Sequence, residues 1–312
     1  MKAAQINDYK DQLRINPNFP NPSLQPGKVL VRVHGAGLNP IEGKIRDGYV
    51  REVFPLQFPA TLGTEFSGII TEIGEGVVDF KKGDEVYGQT DIRGGQFGSF
   101  TEMILMSPQF IALKPEKLTH IEAASLPVVG VSAVQALMDT IGLKQGQKIL
   151  IHGGAGGIGT IAIQLAKHMG AYVATTVSEK DKQYVKDLGA DEVIDYKNQR
   201  FEDILHDYDA VLDNVGGETY LKSFKVLRKG GILVSKLPQE ERKDLMDRYG
   251  VKTIMDFTRM GQEQLSRLAE LVNKGVIKVH IDQVFPLEQA EQALNHLQTG
   301  HPRGKVVLKI NR

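Results

Sequence analysis

Three glycines, Gly154, Gly156 and Gly159, stand in G-x-G-x-x-G spacing directly after the apolar run Ile149, Leu150, Ile151. A strand that turns sharply into a helix there can present backbone N–H groups to an anion. The first glycine makes the tight turn, the second lets the backbone approach a pyrophosphate, and the third allows close helix–strand packing. Ile158, Ile161, Leu165 and Met169 follow at helical spacing, so both flanks have the required character. The start of that helix then faces the phosphate charge. Gly154, Gly156, Gly157, Ile158 and Gly159 are therefore expected to hold a dinucleotide, the competing reading being a plain structural turn.

The elements that must position this loop come from a chain of 312 residues, long enough for two domains. Lys+Arg and Asp+Glu both total 38, which gives no electrostatic reason to expect nucleic acid or an anionic membrane as partner. No apolar run approaches the roughly 20 residues that span a bilayer, and the polar N-terminal stretch does not read as a signal core, so the cytoplasm is expected. Cysteine is absent, which excludes disulfides, zinc–thiolate sites and thiol nucleophiles. No two of the eight histidines are spaced to ligate one metal from a helix, and no metal is expected.

Residues 1–121 carry short β-type runs punctuated by glycine and proline: 28–34, 66–73, 85–87 and 100–106. From 122 to 278 apolar strands alternate with amphipathic helices, the pattern of a parallel sheet covered on both faces. The strands are expected at 148–151, 172–177, 192–194, 210–213, 231–235 and near 251–254. Gly170 and Gly189 read as helix stops, and Gly230 with Gly231 as the stop of a segment starting at Glu218. After 279 a helix at 288–298 and a strand at 305–310 are expected, the strand rejoining the first sheet. The fold class is thus α/β, a doubly wound parallel sheet inserted in a mainly β domain made of 1–121 and 279–312.

In such folds an acidic residue about 20 positions past the glycines binds the adenosine ribose 2′-hydroxyl. The corresponding stretch here is Thr176-Val177-Ser178. With no acid to repel a 2′-phosphate, with Ser178 able to donate and with Lys180 or Lys182 able to supply charge, NADPH fits better than NADH. The run 179–182 also reads as the solvated first turn of a helix.

Several ordered blocks resemble the medium-chain dehydrogenase/reductase superfamily, in its zinc-independent quinone oxidoreductase-like branch. They include Gly37-Leu38-Asn39-Pro40-Ile41-Glu42, Gly63-Thr64-Glu65-Phe66-Ser67-Gly68, Gly83-Asp84-Glu85-Val86-Tyr87-Gly88, the glycine loop, Asp213-Asn214-Val215-Gly216-Gly217 and Gly304-Lys305-Val306-Val307-Leu308. Zinc-dependent members carry a cysteine in the segment matching 37–46 and a histidine where Thr64 stands; both are missing here. The resemblance implies a Rossmann sheet inserted in a GroES-like catalytic domain, and an NADPH-dependent reductase of quinones or other α,β-unsaturated carbonyls. By position it implies that Ser178, Lys182 and Tyr196 meet the 2′-phosphate, and that Ser132, Asn214 and Val215 lie on the nicotinamide side. Family members commonly form homodimers through an edge strand, here near Val251–Ile254.

Hydride added to an enone or quinone drives negative charge onto the carbonyl oxygen, and without a metal that charge needs preorganised donors or cations. The segment that the family uses to line its cleft contains Asn39 and Lys44, expected as the catalytic groups, Lys44 stabilising the enolate and donating a proton. An ordinary charged stretch from Glu42 to Asp47 is the alternative. The loop Gly94-Gly95-Gln96-Phe97-Gly98-Ser99-Phe100 and Tyr87 offer rings to stack on a flat substrate. Reduction of simple aldehydes or ketones, and a non-catalytic NADPH-binding redox sensor, are the competing functions; fold alone does not separate them.

Overall fold

A computed structural model describes residues 1–90 and 98–310, in two compact units. The first unit begins with β1 (Ala3–Ile6), β2 (Arg14–Asn16), β3 (Val29–Leu38), α1 (Pro40–Arg46), β4 (Ala60–Thr61), β5 (Glu65–Ile73), β6 (Glu85–Gln89), β7 (Met103–Met106), β8 (Ile111–Leu113) and α2 (His120–Ala124). Its centre is β3, which pairs with both β5 and β7. Val29, Val31 and Val33 enter one core with Phe66, Ile70, Val86 and Ile104, whereas Ala36 and Leu38 enter another with Ile45, Leu62 and Phe100. The pairing of β3 with β5 shifts register between Leu30 and Val31 and again between Val33 and Gly35.

The chain then passes through α3 (Pro127–Val134) into the second unit: β9 (Lys148–His152), α4 (Gly157–His168), β10 (Tyr172–Val177), α5 (Lys182–Asp187), β11 (Glu192–Asp195), α6 (Phe201–Ile204), β12 (Tyr208–Asp213), α7 (Glu218–Ser223), β13 (Leu227–Ser235), α8 (Lys243–Tyr249) and β14 (Lys252–Met255). These strands form one parallel sheet in the order β11-β10-β9-β12-β13-β14. The order reverses between β9 and β12, the switch point outside whose carboxyl ends such sheets bind ligands. Ile149, Leu150, Ile151, Val211 and Leu212 are all buried, as expected of parallel strands covered on both faces.

One expected boundary is corrected. Gly230 and Gly231 do not stop the helix begun at Glu218, which ends at Ser223; both lie inside β13. Gly230 has φ +82°, and a Cβ on Gly231 would crowd the carbonyls of Arg228 and Asp209 where the β12–β13 register slips. A glycine inside a strand at a bulge has the same letter as one that ends a helix.

The last segments are α9 (Gln262–Asn273), β15 (Ile281–Pro286), α10 (Ala290–Thr299) and β16 (Lys305–Lys309). Residues 260–274, placed by the sequence reading in the second unit, group with the first. There α9 buries Leu265, Leu268, Ala269 and Val272, and the Tyr87 hydroxyl donates to the Leu265 carbonyl at 2.6 Å. β16 inserts between β15 and β3 and so joins β15 to the first unit's large sheet.

Candidate dinucleotide and active site

At the end of β9 the chain turns at Gly153, with φ +69°, and enters α4 with Gly156 at its N-cap. The three motif glycines have different surroundings. A Cβ on Gly154 would collide with the Thr175 hydroxyl on β10, and one on Gly159 with the Gly153 carbonyl. Neither position admits a side chain while helix and strands pack this closely. Around Gly156 the nearest atom to such a Cβ is the Gly153 carbonyl oxygen at 3.4 Å, so the fold itself tolerates a methyl there. The glycine at 156 leaves free the space that a ligand would take. No side chain caps the N-terminus of α4 and its first turn holds no acidic residue, which leaves those N–H groups to an anion.

Beside this turn lies a cavity of about 450 Å³ lined by His152, Gly153, Thr176, Tyr196, Arg200 and Val215, among others. That size suits a ligand group. It sits at the carboxyl ends of β9, β10 and β12, on the switch point. The loop after β12 is held by Asp213, whose carboxylate accepts from the N–H groups of Val215 and Gly216 and from the Ser235 hydroxyl. Asn214 donates to the His152 carbonyl at 2.9 Å, and its own Oδ1 is buried without a partner. Such an atom is costly unless a ligand group satisfies it. His152 joins the walls: its ring nitrogens lie 3.0 Å from Thr176 Oγ1 and 3.0 Å from Ser223 Oγ, and burial holds its pKa down to about 3.

Of the residues expected at the 2′-phosphate, Tyr196 lines the cavity and is 53% exposed. Ser178 caps the turn after β10 and donates to Asp181 Oδ2 at 2.7 Å; Lys182 pairs with Glu179 at 2.6 Å. Val215 is half exposed on the cavity wall. Ser132 is buried, its hydroxyl 2.6 Å from Thr258 Oγ1, and does not line the cavity. Sequence reasoning missed Arg200 and Phe201. They reach the cavity because the chain turns back after β11, and nothing in their local spacing announces that turn.

In the first unit, Asn39 stands at the N-cap of α1 and is 4% exposed. Its amide donates to Glu65 Oε1 at 2.9 Å and Thr64 Oγ1 at 3.2 Å, while its oxygen accepts from Lys305 Nζ at 2.6 Å. Glu42, expected in a solvated stretch, is instead wholly buried, taking the Asn39 N–H at 2.7 Å and the Thr64 hydroxyl at 2.5 Å. Burial pushes its carboxyl up to about 7, against the opposing pull of Thr64, Lys305 and the Asn39 N–H. Gly37 lacks a side chain because a Cβ would strike the Glu65 carboxylate and the Ala124 carbonyl. Lys44, two residues past Glu42, is exposed on α1.

This donor set does not fit a zinc ion. Asn39 and Thr64 offer an amide and a hydroxyl, and both carboxylates that contact them are engaged, Glu65 with Lys305 at 2.8 Å and Glu42 with the Asn39 N–H and the Thr64 hydroxyl. Among the described residues no group of three His, Cys, Asp or Glu is arranged to hold a metal. Tyr87 is corrected: it is fully buried and its hydroxyl is tied to Leu265, so it presents no ring to a substrate. Gln96 and Phe97 lie outside the described residues.

Residues 25–116 match the family described as Alcohol dehydrogenase GroES-like domain, and residues 188–308 that described as Zinc-binding dehydrogenase. Over 99% of its length the chain is 33% identical to the NAD(P)H oxidoreductase RTN4IP1, mitochondrial, of Danio rerio, covering 91% of that protein. Again over 99% of its length, it is 33% identical to the NADPH-dependent alkenal/one oxidoreductase, chloroplastic, of Arabidopsis thaliana, covering 79% of it. The solved quinone oxidoreductase of Coxiella burnetii superposes with a TM-score of 0.89 at 34% identity, over 100% of this chain and 99% of that one. These relatives' names include two organelles, so compartment varies among them. Among the described residues no helix is long and apolar enough to cross a membrane.

Proposed function

Because this chain belongs to the medium-chain dehydrogenase/reductase superfamily, we propose that it is an NADPH-dependent reductase of quinones or other α,β-unsaturated carbonyls, working without zinc. The observation that carries the reading is the contrast among the three glycines: two are required by packing, and the third, Gly156, is required only if a ligand comes close. The names of relatives that span the whole chain supply NADPH and the conjugated carbonyl as cofactor and substrate.

NADPH, when bound, supplies the hydride. The α4 N-terminus and the Gly156–Ile158 backbone would hold its pyrophosphate, Asn214 and Val215 would lie on the nicotinamide side, and Tyr196, Ser178 and Lys182 would surround the 2′-phosphate. Reduction adds a hydride at the β-carbon of the enone and a proton at the α-carbon, and between those steps negative charge rests on the carbonyl oxygen. The exposed ammonium of Lys44 is the group proposed to stabilise that oxygen and supply the proton. Asn39 is proposed to act from behind, fixing the start of α1, because its polar atoms are engaged in the protein interior.

We also propose a homodimer formed at β14, the edge of the second unit's sheet. Exposed Ile254, Met255 and Phe257 lie on or just beyond that strand, and an unpaired apolar edge favours strand addition.

The experiment is a panel of quinones, enones and simple aldehydes assayed with NADPH and NADH side by side, with and without chelator. Chelator-resistant, NADPH-preferring turnover of the conjugated substrates is expected. NADPH binding without turnover would move the assignment to a redox sensor, and turnover of simple aldehydes alone to a carbonyl reductase.

A further inference from the structure

We propose that Lys305 is a positioning residue for the reaction: its ammonium, held between Glu65 and Asn39, sets the start of α1 and so the place of Lys44. This rests on the reductase reading above. An ammonium has three protons to donate, and Lys305 directs its Nζ to three acceptors, the Leu38 carbonyl, Asn39 Oδ1 at 2.6 Å and Glu65 Oε1 at 2.8 Å. The group is almost entirely buried, and so are both side-chain partners.

The anchor is rigid at its base. Lys305 begins β16, which is paired on one side with β15 and on the other with β3. Glu65 is fixed too, since its second oxygen accepts from the Val128 N–H at 2.7 Å. Between these two, Asn39 has no polar atom of its side chain left over, and Asn39 is the residue from which α1 departs. Glu42, one turn into α1, closes the arrangement by accepting from the Asn39 N–H and from Thr64. At its far end the same helix is held by Arg46, which pairs with Glu291 at 3.2 Å. Lys44 is thus carried on a seven-residue helix fastened at both ends, and the cation inside fixes the end that leads into it.

A buried ion pair adds little net stability over an apolar replacement of both partners, but removing one partner alone is strongly destabilising. Replacing Lys305 alone would strand the Glu65 carboxylate, so the test removes both charges at once. Four proteins are compared at saturating NADPH and enone: wild type, Lys44→Ala, Lys305→Met/Glu65→Gln, and the triple variant, with folded fractions measured by circular dichroism. Expected is a fall in kcat of about tenfold or more in Lys305→Met/Glu65→Gln, with the KM for NADPH within about twofold of wild type, and no further fall when Lys44→Ala is added. Unchanged kcat per folded molecule, or losses that multiply, would overturn the inference and leave Lys305 a stabilising residue. Lys44→Ala without effect would overturn both this inference and the role of Lys44 while leaving the reductase assignment standing. A wild-type protein that oxidises no NADPH with any acceptor would overturn that assignment itself.

Discussion

Ser178 donates its hydroxyl proton to Asp181 across a buried 2.7 Å hydrogen bond at the end of β10. The proton with which Ser178 could meet a 2′-phosphate is therefore committed to a carboxylate, and positive charge for that phosphate falls to Lys182. Its pairing with Glu179 is at the surface and of little weight for stability.

Lys182→Ala is accordingly expected to weaken NADPH binding about fivefold or more while leaving NADH binding and the melting temperature unchanged. Ser178→Asp sets a second carboxylate beside Asp181 and should disfavour NADPH relative to NADH by about tenfold, or about 1.4 kcal/mol. Calorimetric titration with both cofactors checks this; equal losses for the two would remove these residues from the site.

The glycine loop makes a prediction that separates binding from folding. Gly156→Ala should fold with near wild-type stability yet lose most NADPH affinity, since its methyl enters ligand space. Gly154→Ala and Gly159→Ala drive a methyl into Thr175 and the Gly153 carbonyl and should cost about 1–3 kcal/mol of stability. Thermal unfolding read beside fluorescence titration distinguishes the two classes, and a destabilised Gly156→Ala would contradict the geometry.

Glu42 should make stability depend on pH near neutrality. Its folded pKa of about 7 lies above the ordinary value of 4.5, so the native state keeps a proton that the unfolded chain releases. That contribution is complete below about 4.5 and fades as pH rises through about 7. Urea unfolding at pH 6 and 8 should register a loss of about 1 kcal/mol from this group, abolished in Glu42→Gln.

His152 has the opposite sign. Burial lowers its pKa from 6.5 to about 3, so below about 6.5 the unfolded chain takes up a proton that the native protein refuses. Its stabilising contribution is present above 6.5 and is lost as pH falls towards 3. The His152 imidazole resonances should stay flat between pH 5 and 8; a midpoint within that window would contradict the burial.

Phe257→Glu places a charge beside the exposed edge at β14. It should convert a dimer to a monomer in light scattering after gel filtration without changing the melting of the sheet. A dimer that persists through this change uses another surface.

Strands with a strong local signature were legible in the sequence: Tyr172–Val177 was delimited to the residue, and the glycine loop was located with its flanks. Local patterning was less informative where a residue's role depends on distant partners. Glu42 and Lys44 look alike in a charged stretch, yet Glu42 is buried because Thr64 and Asn39, joined through a different strand and a helix cap, satisfy it. Tyr87 reads locally as available for stacking, but α9, far along the chain, covers it, and the Leu265 carbonyl accepts a hydrogen bond from its hydroxyl. Lys305 was visible only as part of a motif near the end of the chain; its acceptors lie more than two hundred residues earlier.

The attachment of α9 to the first unit bears on how this protein can be cut. A fragment spanning 122–278, the natural choice from a strand–helix reading, would take α9 away from β8 and Tyr87 and leave Leu265, Leu268 and Val272 wet. Such a piece should self-associate or be degraded, whereas one ending at Arg259 sheds that sticky stripe altogether.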